Sequence, residues 1–153
     1  MKHIDIWTDG ASRGNPGIGG YGAVIKFIDK NGIENRLELK EAFDNTTNNK
    51  MELLSAIVAL EKLKEPCDVT LSSDSKYLVD AFNKNWIDSW LKCDFRRGRQ
   101  NEVKNIDLWE RLIKQAKRHN IQFVWVKGHN NNTENERCDT LANMAMDEFQ
   151  NNL

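Results

Sequence analysis

Residues 3–28 read HIDIWTDGASRGNPGIGGYGAVIKFI and predict the first two strands of the fold. Ile4, Ile6 and Thr8 alternate with Asp5, Trp7 and Asp9, which is the two-residue period of a strand. This strand is predicted to end at Asp9, so that the Asp9 carboxylate lies at its exit. The glycine-rich segment 10–22 then predicts turns. Residues 23–28 form the second strand, which is expected to pair with a third at 36–43.

The rest of the chain alternates between helical and strand patterns. Apolar residues at helical spacing between Leu53 and Leu63 predict a largely buried helix, which Pro66 terminates. Short strands are predicted at residues 69–73 and 121–126, with further helices at about 77–82, 105–120 and 134–148. Because strands separated by helices are typical of parallel pairing, we expect an α/β fold. Its sheet is predicted to be five-stranded and mixed, with three antiparallel N-terminal strands plus two parallel strands, flanked by helices.

Length and composition limit the class of protein. The 153 residues are enough for one domain, so residues 1–153 are interpreted as a single domain. The longest mainly apolar run, 53–63, is far shorter than the ~20 residues that cross a bilayer, and no secretory signal follows Met1. We therefore expect a cytoplasmic protein without membrane contact. The net charge of -1 means that any contact with nucleic acid would be local.

Two other patterns are set aside. Residues 17–22, GIGGYG, match the dinucleotide pattern GxGxxG, but a strand follows them instead of the helix whose N-terminus holds a pyrophosphate. We interpret this segment as turns in which glycine allows close approach of the backbone. The three cysteines are odd in number and widely spaced, which fits free thiols better than disulfides or a CxxC metal site.

Four acidic residues are candidates for one shared site: Asp9, Glu52, Asp74 and Asp139. Each has an ordinary explanation when taken alone, as a turn residue, a partner of a helix dipole, a cap or a solvated helical residue. If the strands that end at Asp9 and Asp74 are parallel, however, both carboxylates lie at the edge where α/β sheets build their sites. Glu52, near the start of the helix over that sheet, can reach the same place.

Converging carboxylates repel one another, so they require a cation between them. Mg²⁺ is the natural choice, because it takes oxygen ligands and keeps waters and phosphate oxygens in its shell. Two such ions ~4 Å apart can hold the attacking and leaving oxygens of a phosphodiester. Neither a cysteine pair nor HExxH suggests zinc. The sequence therefore predicts two Mg²⁺ ions in the substrate complex, for which Mn²⁺ can substitute.

Five blocks of the sequence resemble those of bacterial type 1 ribonuclease H, in family order, over residues 1 to about 145. They are Thr8-Asp9-Gly10 with the glycine-rich segment, Thr46 to Leu53, Ser73-Asp74-Ser75, Val103 to Trp109, and Trp125 to His129 followed by Glu134 to Asp139. The resemblance implies a ribonuclease H-like fold in a monomeric, metal-dependent endonuclease. It also implies hydrolysis of the RNA strand of RNA/DNA hybrids, leaving 5′-phosphate and 3′-hydroxyl ends.

The resemblance also implies roles for individual residues. The implied metal ligands are Asp9, Glu52, Asp74 and Asp139. His129 resembles a loop histidine that assists proton transfer or product release. Asn15 and Asn49 resemble residues that touch the minor groove of the hybrid, where the RNA 2′-hydroxyls are displayed. Thr47 and Asn105 resemble a pocket for a phosphate of the DNA strand.

Residues 86–104, here called the basic segment, resemble the family's basic protrusion. It combines two tryptophans with several basic residues, and a mixture of aromatic and basic side chains is typical of a nucleic-acid groove. The residues expected to contact substrate are Trp86, Arg96, Arg97 and Arg99. A solvated helix and loop with core tryptophans is the alternative interpretation, since charged runs are commonly exposed faces.

Two other functions remain open from the sequence. One is a module that binds hybrids without catalysis, although such a module has no reason to keep all four carboxylates. The other is a related two-metal enzyme that acts on duplex DNA, such as an integrase or resolvase. That class shares the expected fold but lacks the Thr47-Asn48-Asn49 block and the basic segment.

Overall fold

The computed structural model describes residues 1–93, 96–97, 101–102, 104–128 and 132–153, with the backbone alone for 96–97 and 101–102. Five strands form one mixed sheet: β1 His3–Ser12, β2 Gly17–Ile28, β3 Glu34–Thr46, β4 Asp68–Ser73 and β7 Asn120–Trp125. Their order in the sheet is β3-β2-β1-β4-β7. The pairs β1/β2 and β2/β3 are antiparallel, whereas β1/β4 and β4/β7 are parallel. The predicted fold class is confirmed.

Helices follow the strands in the expected alternation. They are α1 Asn48–Glu61, α2 Lys76–Asn83, α3 Trp86–Lys92, α4 Ile106–Arg118 and α5 Thr133–Asn151. A short antiparallel pair, β5 Arg96–Arg97 and β6 Asn101–Glu102, lies between α3 and α4. Among the described residues, no helix combines the length and apolarity that a membrane span needs.

The glycine-rich segment differs from its prediction. Residues 10–12 continue β1 and residues 17–22 belong to β2, so that only residues 13–16 connect the two strands. Antiparallel pairing with β2 continues past Asp9, which lies opposite Gly22, as far as Ser12, which lies opposite Gly19. The prediction that β1 ends at Asp9 is therefore wrong, because pairing with β2 extends the strand. The parallel ladder with β4 does end at Thr8, opposite Ser73, so Asp9 directly follows it.

Glycines in β2 allow α5 to pack against the sheet. A Cβ built on Gly22 would lie 2.2 Å from the carbonyl oxygen of Cys138 in α5. A Cβ on Gly20 would lie 3.0 Å from the carbonyl oxygen of Ala142, one turn further along. Side chains at these positions would push α5 away. The glycines thus bring the N-terminal half of α5, which carries Asp139, close to the central strands.

Helix α1 packs into the main hydrophobic core. Leu53, Ile57 and Leu60 on α1 are fully buried, as the helical pattern predicts. The core extends beneath α3 and α4, where Trp90 is 5% exposed and its ring centroid lies 5.0 Å from that of the fully buried Trp109. Trp90 is therefore a core residue, as the alternative interpretation of the basic segment proposes for its tryptophans.

Candidate active site

Three of the four predicted carboxylates come together in the structure. One carboxylate oxygen each from Asp9, Glu52 and Asp74 lies within 4.8 Å of the others. Asp9 comes from β1, Glu52 from the second turn of α1, and Asp74 from the connection between β4 and α2. This convergence at the carboxyl end of the β1/β4 ladder is the one that parallel strands favour.

Gly10 holds two of these carboxylates in place. Its backbone N–H donates to Oε1 of Glu52 and, at 3.0 Å, to Oδ1 of Asp9. A Cβ on Gly10 would lie 2.4 Å from the carbonyl carbon of Met51, so only glycine allows β1 to lie this close to α1. The start of α1 is fixed by Thr47, whose hydroxyl accepts from the Lys50 N–H at 3.3 Å as an N-cap.

Asp74 lies in a tight turn at the end of β4. The Ser75 N–H donates to Oγ of Ser73 at 3.0 Å, and Oγ of Ser75 accepts from the Leu78 N–H at 3.2 Å to cap α2. The backbone of Gly128 faces the Asp74 carboxylate, because a Cβ at Gly128 would lie 2.9 Å from Oδ2 of Asp74. The Asp74 carboxylate, which is partly exposed, thus lies against the Gly128 backbone.

Asp139 lies on α5, outside the set of three mutually close carboxylates. The side-chain amide of Asn143 donates to the Asp139 backbone carbonyl at 3.0 Å and approaches its Oδ1 at 3.4 Å. Asp139 is still close enough to act on the cluster, because its charge is one of the causes that raise the pKa of Asp9. It therefore stands at the margin of the site.

Burial and mutual repulsion make this cluster hard to ionise. Burial, followed by the charge of Asp74, raises the pKa of Asp9 from 3.8 to about 7. Burial, followed by the charges of Asp9 and Asp74, raises the pKa of Glu52 well above its usual value. Both side chains are only 8% exposed. A cation would relieve these costs, since it favours the ionised forms.

The donor set fits a hard divalent cation. All the converging ligands are carboxylate oxygens, which Mg²⁺ and Mn²⁺ prefer. No cysteine or histidine belongs to this cluster among the described residues, so the donor set lacks the soft ligands typical of structural zinc.

A cleft beside α1 brings together the four predicted substrate-binding residues outside the basic segment. Its lining residues are Asn15, Thr47, Asn48, Asn49, Lys50, Lys104 and Asn105. Amide, hydroxyl and ammonium groups dominate this lining, and these groups donate to phosphate and sugar oxygens. The structure thus places these four residues in one cleft, and their separate roles in binding the minor groove and a phosphate stay predictions.

Two positioning networks along this cleft were not predicted from the sequence. Oδ1 of Asn15 accepts from the Asn48 N–H at 3.2 Å and from the Ser12 hydroxyl at 3.1 Å. Asn105 has a positive φ of 63° and donates from its amide to the Tyr77 hydroxyl at 3.2 Å. The sequence contains only one signal for these hydrogen bonds, which is the presence of amide side chains at the ends of loops. The hydrogen-bond partners of Asn15 and Asn105 could not be found from it, because Asn48 and Tyr77 are distant along the chain.

The structure does not test the predicted roles of His129 and of the substrate-binding residues in the basic segment. His129 and Arg99 are outside the described residues. Arg96 pairs with Glu102 and Arg97 with Asn101 in the ladder of β5 and β6, where the structure describes the backbone alone. Trp86 is partly buried, with its ring centroid 6.5 Å from that of Trp90. The role of these residues in binding substrate stays a prediction.

Comparison with known proteins identifies the family. The RNase H family model matches residues 1–147. A ribonuclease H of Lachnoclostridium phytofermentans is 52% identical over 145 residues, which cover 94% of this chain and 92% of that protein. Among solved structures, LC9-RNase H1, a type 1 RNase H with the type 2 active-site motif, has a TM-score of 0.87 and 25% identity, covering 97% of this chain and 74% of the other.

A second solved structure was determined with a nucleic acid. LC11-RNase H1 in complex with an RNA/DNA hybrid has a TM-score of 0.69 and 26% identity, covering 96% of this chain and 99% of the other. The family match spans nearly the whole chain, and the carboxylate cluster lies within it. This chain therefore belongs to the RNase H family and is a hydrolytic endoribonuclease.

Proposed function

We propose that this protein hydrolyses the RNA strand of RNA/DNA hybrids by a two-metal mechanism and leaves 5′-phosphate and 3′-hydroxyl ends. The observation that carries the proposal is the cluster of Asp9, Glu52 and Asp74, whose oxygens lie within 4.8 Å of one another. Helix α1, which carries Glu52, also lines the polar cleft. The relative that was solved with an RNA/DNA hybrid supports this class of substrate.

The carboxylates hold the metal in this mechanism. Asp9, Glu52 and Asp74 would bind the ions directly, and Asp139 would complete the set from α5. When bound, two Mg²⁺ ions lower the pKa of the attacking water and stabilise charge that develops on the phosphate. The Gly10 N–H orients the ligands of β1 and α1, because it donates to both Asp9 and Glu52.

Histidine and substrate contacts complete the proposal. His129 assists proton transfer or product release. Asn15 and Asn49 contact the minor groove, where a 2′-hydroxyl distinguishes RNA from DNA. Thr47 and Asn105 bind a phosphate of the DNA strand; both line the same cleft.

The basic segment is proposed to extend this binding surface. Trp86, Arg96, Arg97 and Arg99 would contact the hybrid backbone, and such contacts add affinity without reading sequence. We further propose that residues 1–153 act as one monomeric domain in the cytoplasm.

A comparison of substrates tests the proposal. End-labelled RNA/DNA hybrid, duplex DNA and duplex RNA of one sequence are incubated with the protein in Mg²⁺, in Mn²⁺ and in EDTA. We expect cleavage of the RNA strand of the hybrid alone, and only with added metal. Binding of the hybrid without cleavage would indicate a silent binding module, whereas cleavage of duplex DNA would indicate the integrase or resolvase class. Cleavage in EDTA would contradict metal dependence.

A further inference from the structure

The backbone of Asp74 is outside every regular element. Strand β4 ends at Ser73 and α2 begins at Lys76, so neither the sheet nor the helix includes Asp74. Ser75 is tied on both sides by the hydrogen bonds to Ser73 and Leu78 described above. The Ser75 N–H is one end of the peptide that joins Asp74 to Ser75, and the Asp74 carbonyl is the other end. The position of the Asp74 side chain depends also on what holds that carbonyl.

Trp125 supplies a hydrogen bond to that peptide. It is the last residue of β7 and pairs with Ser73 across the parallel ladder. Its indole Nε1–H donates to the Asp74 backbone carbonyl at 3.1 Å. The bond spans 51 positions of sequence and connects β7 directly to the residue that carries the candidate metal ligand.

Core packing does not explain this tryptophan. Trp125 is 43% exposed, so much of its ring faces solvent instead of the core. The ammonium of the exposed Lys76 side chain lies 4.9 Å from the ring centroid, within the distance of a cation–π contact. The exposed indole directs its N–H at the turn between β4 and α2, which carries Asp74. This hydrogen bond can therefore fix the backbone of that turn.

We propose that Trp125 is a positioning residue for Asp74: its indole N–H fixes the turn after β4 so that the Asp74 carboxylate is preorganised for the divalent cation. This inference rests on the proposed function, in which Asp74 binds metal. Trp125 contacts neither the cation nor the reacting atoms in this role. It acts through the backbone of the ligand residue.

The expected effect follows from how outer-shell hydrogen bonds act on metal sites. Removing such a partner commonly costs about 10- to 100-fold in metal affinity or activity. Trp125 bonds to the backbone of Asp74 and not to its carboxylate, so we expect the lower end, about tenfold.

The test is Trp125→Phe, which keeps an aromatic ring for Lys76 but lacks the N–H donor. Mn²⁺ binding to the substrate-free protein is measured by electron paramagnetic resonance, and apo stability by thermal unfolding. We expect about tenfold weaker Mn²⁺ binding with little change in melting temperature. At saturating hybrid, kcat should be lower at limiting Mg²⁺ and should recover as Mg²⁺ is raised, with KM for the hybrid unchanged.

Lys76→Met is the matched control, because it removes the cation–π contact of the ring and leaves the indole N–H in place. Its Mn²⁺ affinity should be no weaker than that of the wild-type protein. If Trp125→Phe fails to fold, 3-benzothienylalanine at position 125 replaces the N–H by sulfur in a ring of nearly the same shape. Either replacement should weaken Mn²⁺ binding.

The outcomes separate this inference from the proposed function. Mn²⁺ that binds the wild-type protein and Asp74→Asn equally well would contradict the metal site itself. Tight binding to the wild-type protein, weak binding to Asp74→Asn and unchanged binding to Trp125→Phe would overturn the role of Trp125 alone. A raised KM for the hybrid with unchanged Mn²⁺ affinity would also overturn it, because Trp125 would then be a substrate contact.

Discussion

Replacing Asp9 with Asn should change how the stability of the metal-free protein depends on pH. Burial, with the charges of Asp74 and Asp139, raises the pKa of Asp9 from 3.8 to about 7. A carboxyl group whose pKa is higher in the folded chain binds its proton more tightly there. Its contribution to stability is therefore fully present below about pH 4 and is lost as the pH rises through about 7.

The magnitude follows from the two pKa values of Asp9. Each pKa unit corresponds to about 1.4 kcal/mol, and about two units separate pH 5 from the pKa of about 7 in the folded protein. The titration between pH 5 and pH 8 therefore corresponds to roughly 2 to 3 kcal/mol of unfolding free energy. Asp9→Asn removes this titration. The stability of the wild-type protein relative to the variant should therefore fall by that amount over the same range. Glu52, whose pKa is also raised, in part by the charge of Asp9, acts in the same direction, and Glu52→Gln should reduce the pH dependence as well.

The assay is urea unfolding in EDTA at several pH values between 5 and 8. The buried His119 has a pKa lowered by burial and by the neighbouring Arg118, so its contribution is lost as the pH falls through its usual value near 6.5. Both proteins contain His119, so its effect cancels in the difference. A difference between wild type and Asp9→Asn that does not change with pH would refute the reasoning. Mg²⁺ should stabilise the wild-type protein more at pH 8 than at pH 5, because its ligands must lose their protons.

Three further predictions concern the substrate surface, the loop histidine and the packing of β1. Replacing Arg96, Arg97 and Arg99 together by Gln should raise KM with little change in kcat. The slope of the logarithm of the hybrid-binding constant against the logarithm of the salt concentration should flatten by ~0.9 per lost phosphate contact. An unchanged slope would show that these arginines do not touch the hybrid. His129→Ala should lower kcat by ~10² to 10⁴ at an unchanged melting temperature, and an unchanged kcat at saturating hybrid and Mg²⁺ would remove His129 from the mechanism. Gly10→Ala should destabilise the fold by about 1 to 3 kcal/mol or more and weaken Mn²⁺ binding, because its Cβ meets the backbone of α1; wild-type unfolding and metal affinity would contradict this.

The convergence of Asp9 and Asp74 was predictable because it follows from a local rule. Each residue directly follows the last parallel pair between its strand and the neighbour, and that geometry requires only that both strands be recognised and run in parallel. Glu52 was predictable for a similar reason, since the helical period places it near the start of a helix that must cover the sheet.

The end of β1 was not predictable from local sequence. Six glycines and a proline in residues 10–22 are typical of turns, yet most of this segment is paired strand. The glycines are used for close packing against α1 and α5, as at Gly10 and Gly22. Tertiary packing therefore overrides the local preference of these residues for turns.

The placement of Asp139 depends on a contact that the pattern of α5 does not reveal. Helical periodicity shows which residues of α5 are apolar, but the distance of the helix from the sheet depends on the missing side chain at Gly22. The same limit applies to Trp125 and Tyr77, whose hydrogen-bond partners are 51 and 28 positions away. For Asp139, the family resemblance supplied what periodicity lacked; the contacts of Trp125 and Tyr77 emerged only in the structure.

Cleavage by Asp74→Asn is the most direct measurement of whether the carboxylate cluster is the catalytic metal site. The amide keeps the volume of the side chain but removes the charge that a divalent cation requires. With Mg²⁺ and a saturating, end-labelled RNA/DNA hybrid, the variant should cleave at least ~10²-fold more slowly than the wild-type protein, while hybrid binding and the fold are retained. Removing a group that stabilises the transition state is expected to lower the rate by ~10²-fold or more. If Asp74→Asn keeps more than about a tenth of the wild-type rate, the cluster therefore does not hold the catalytic metal.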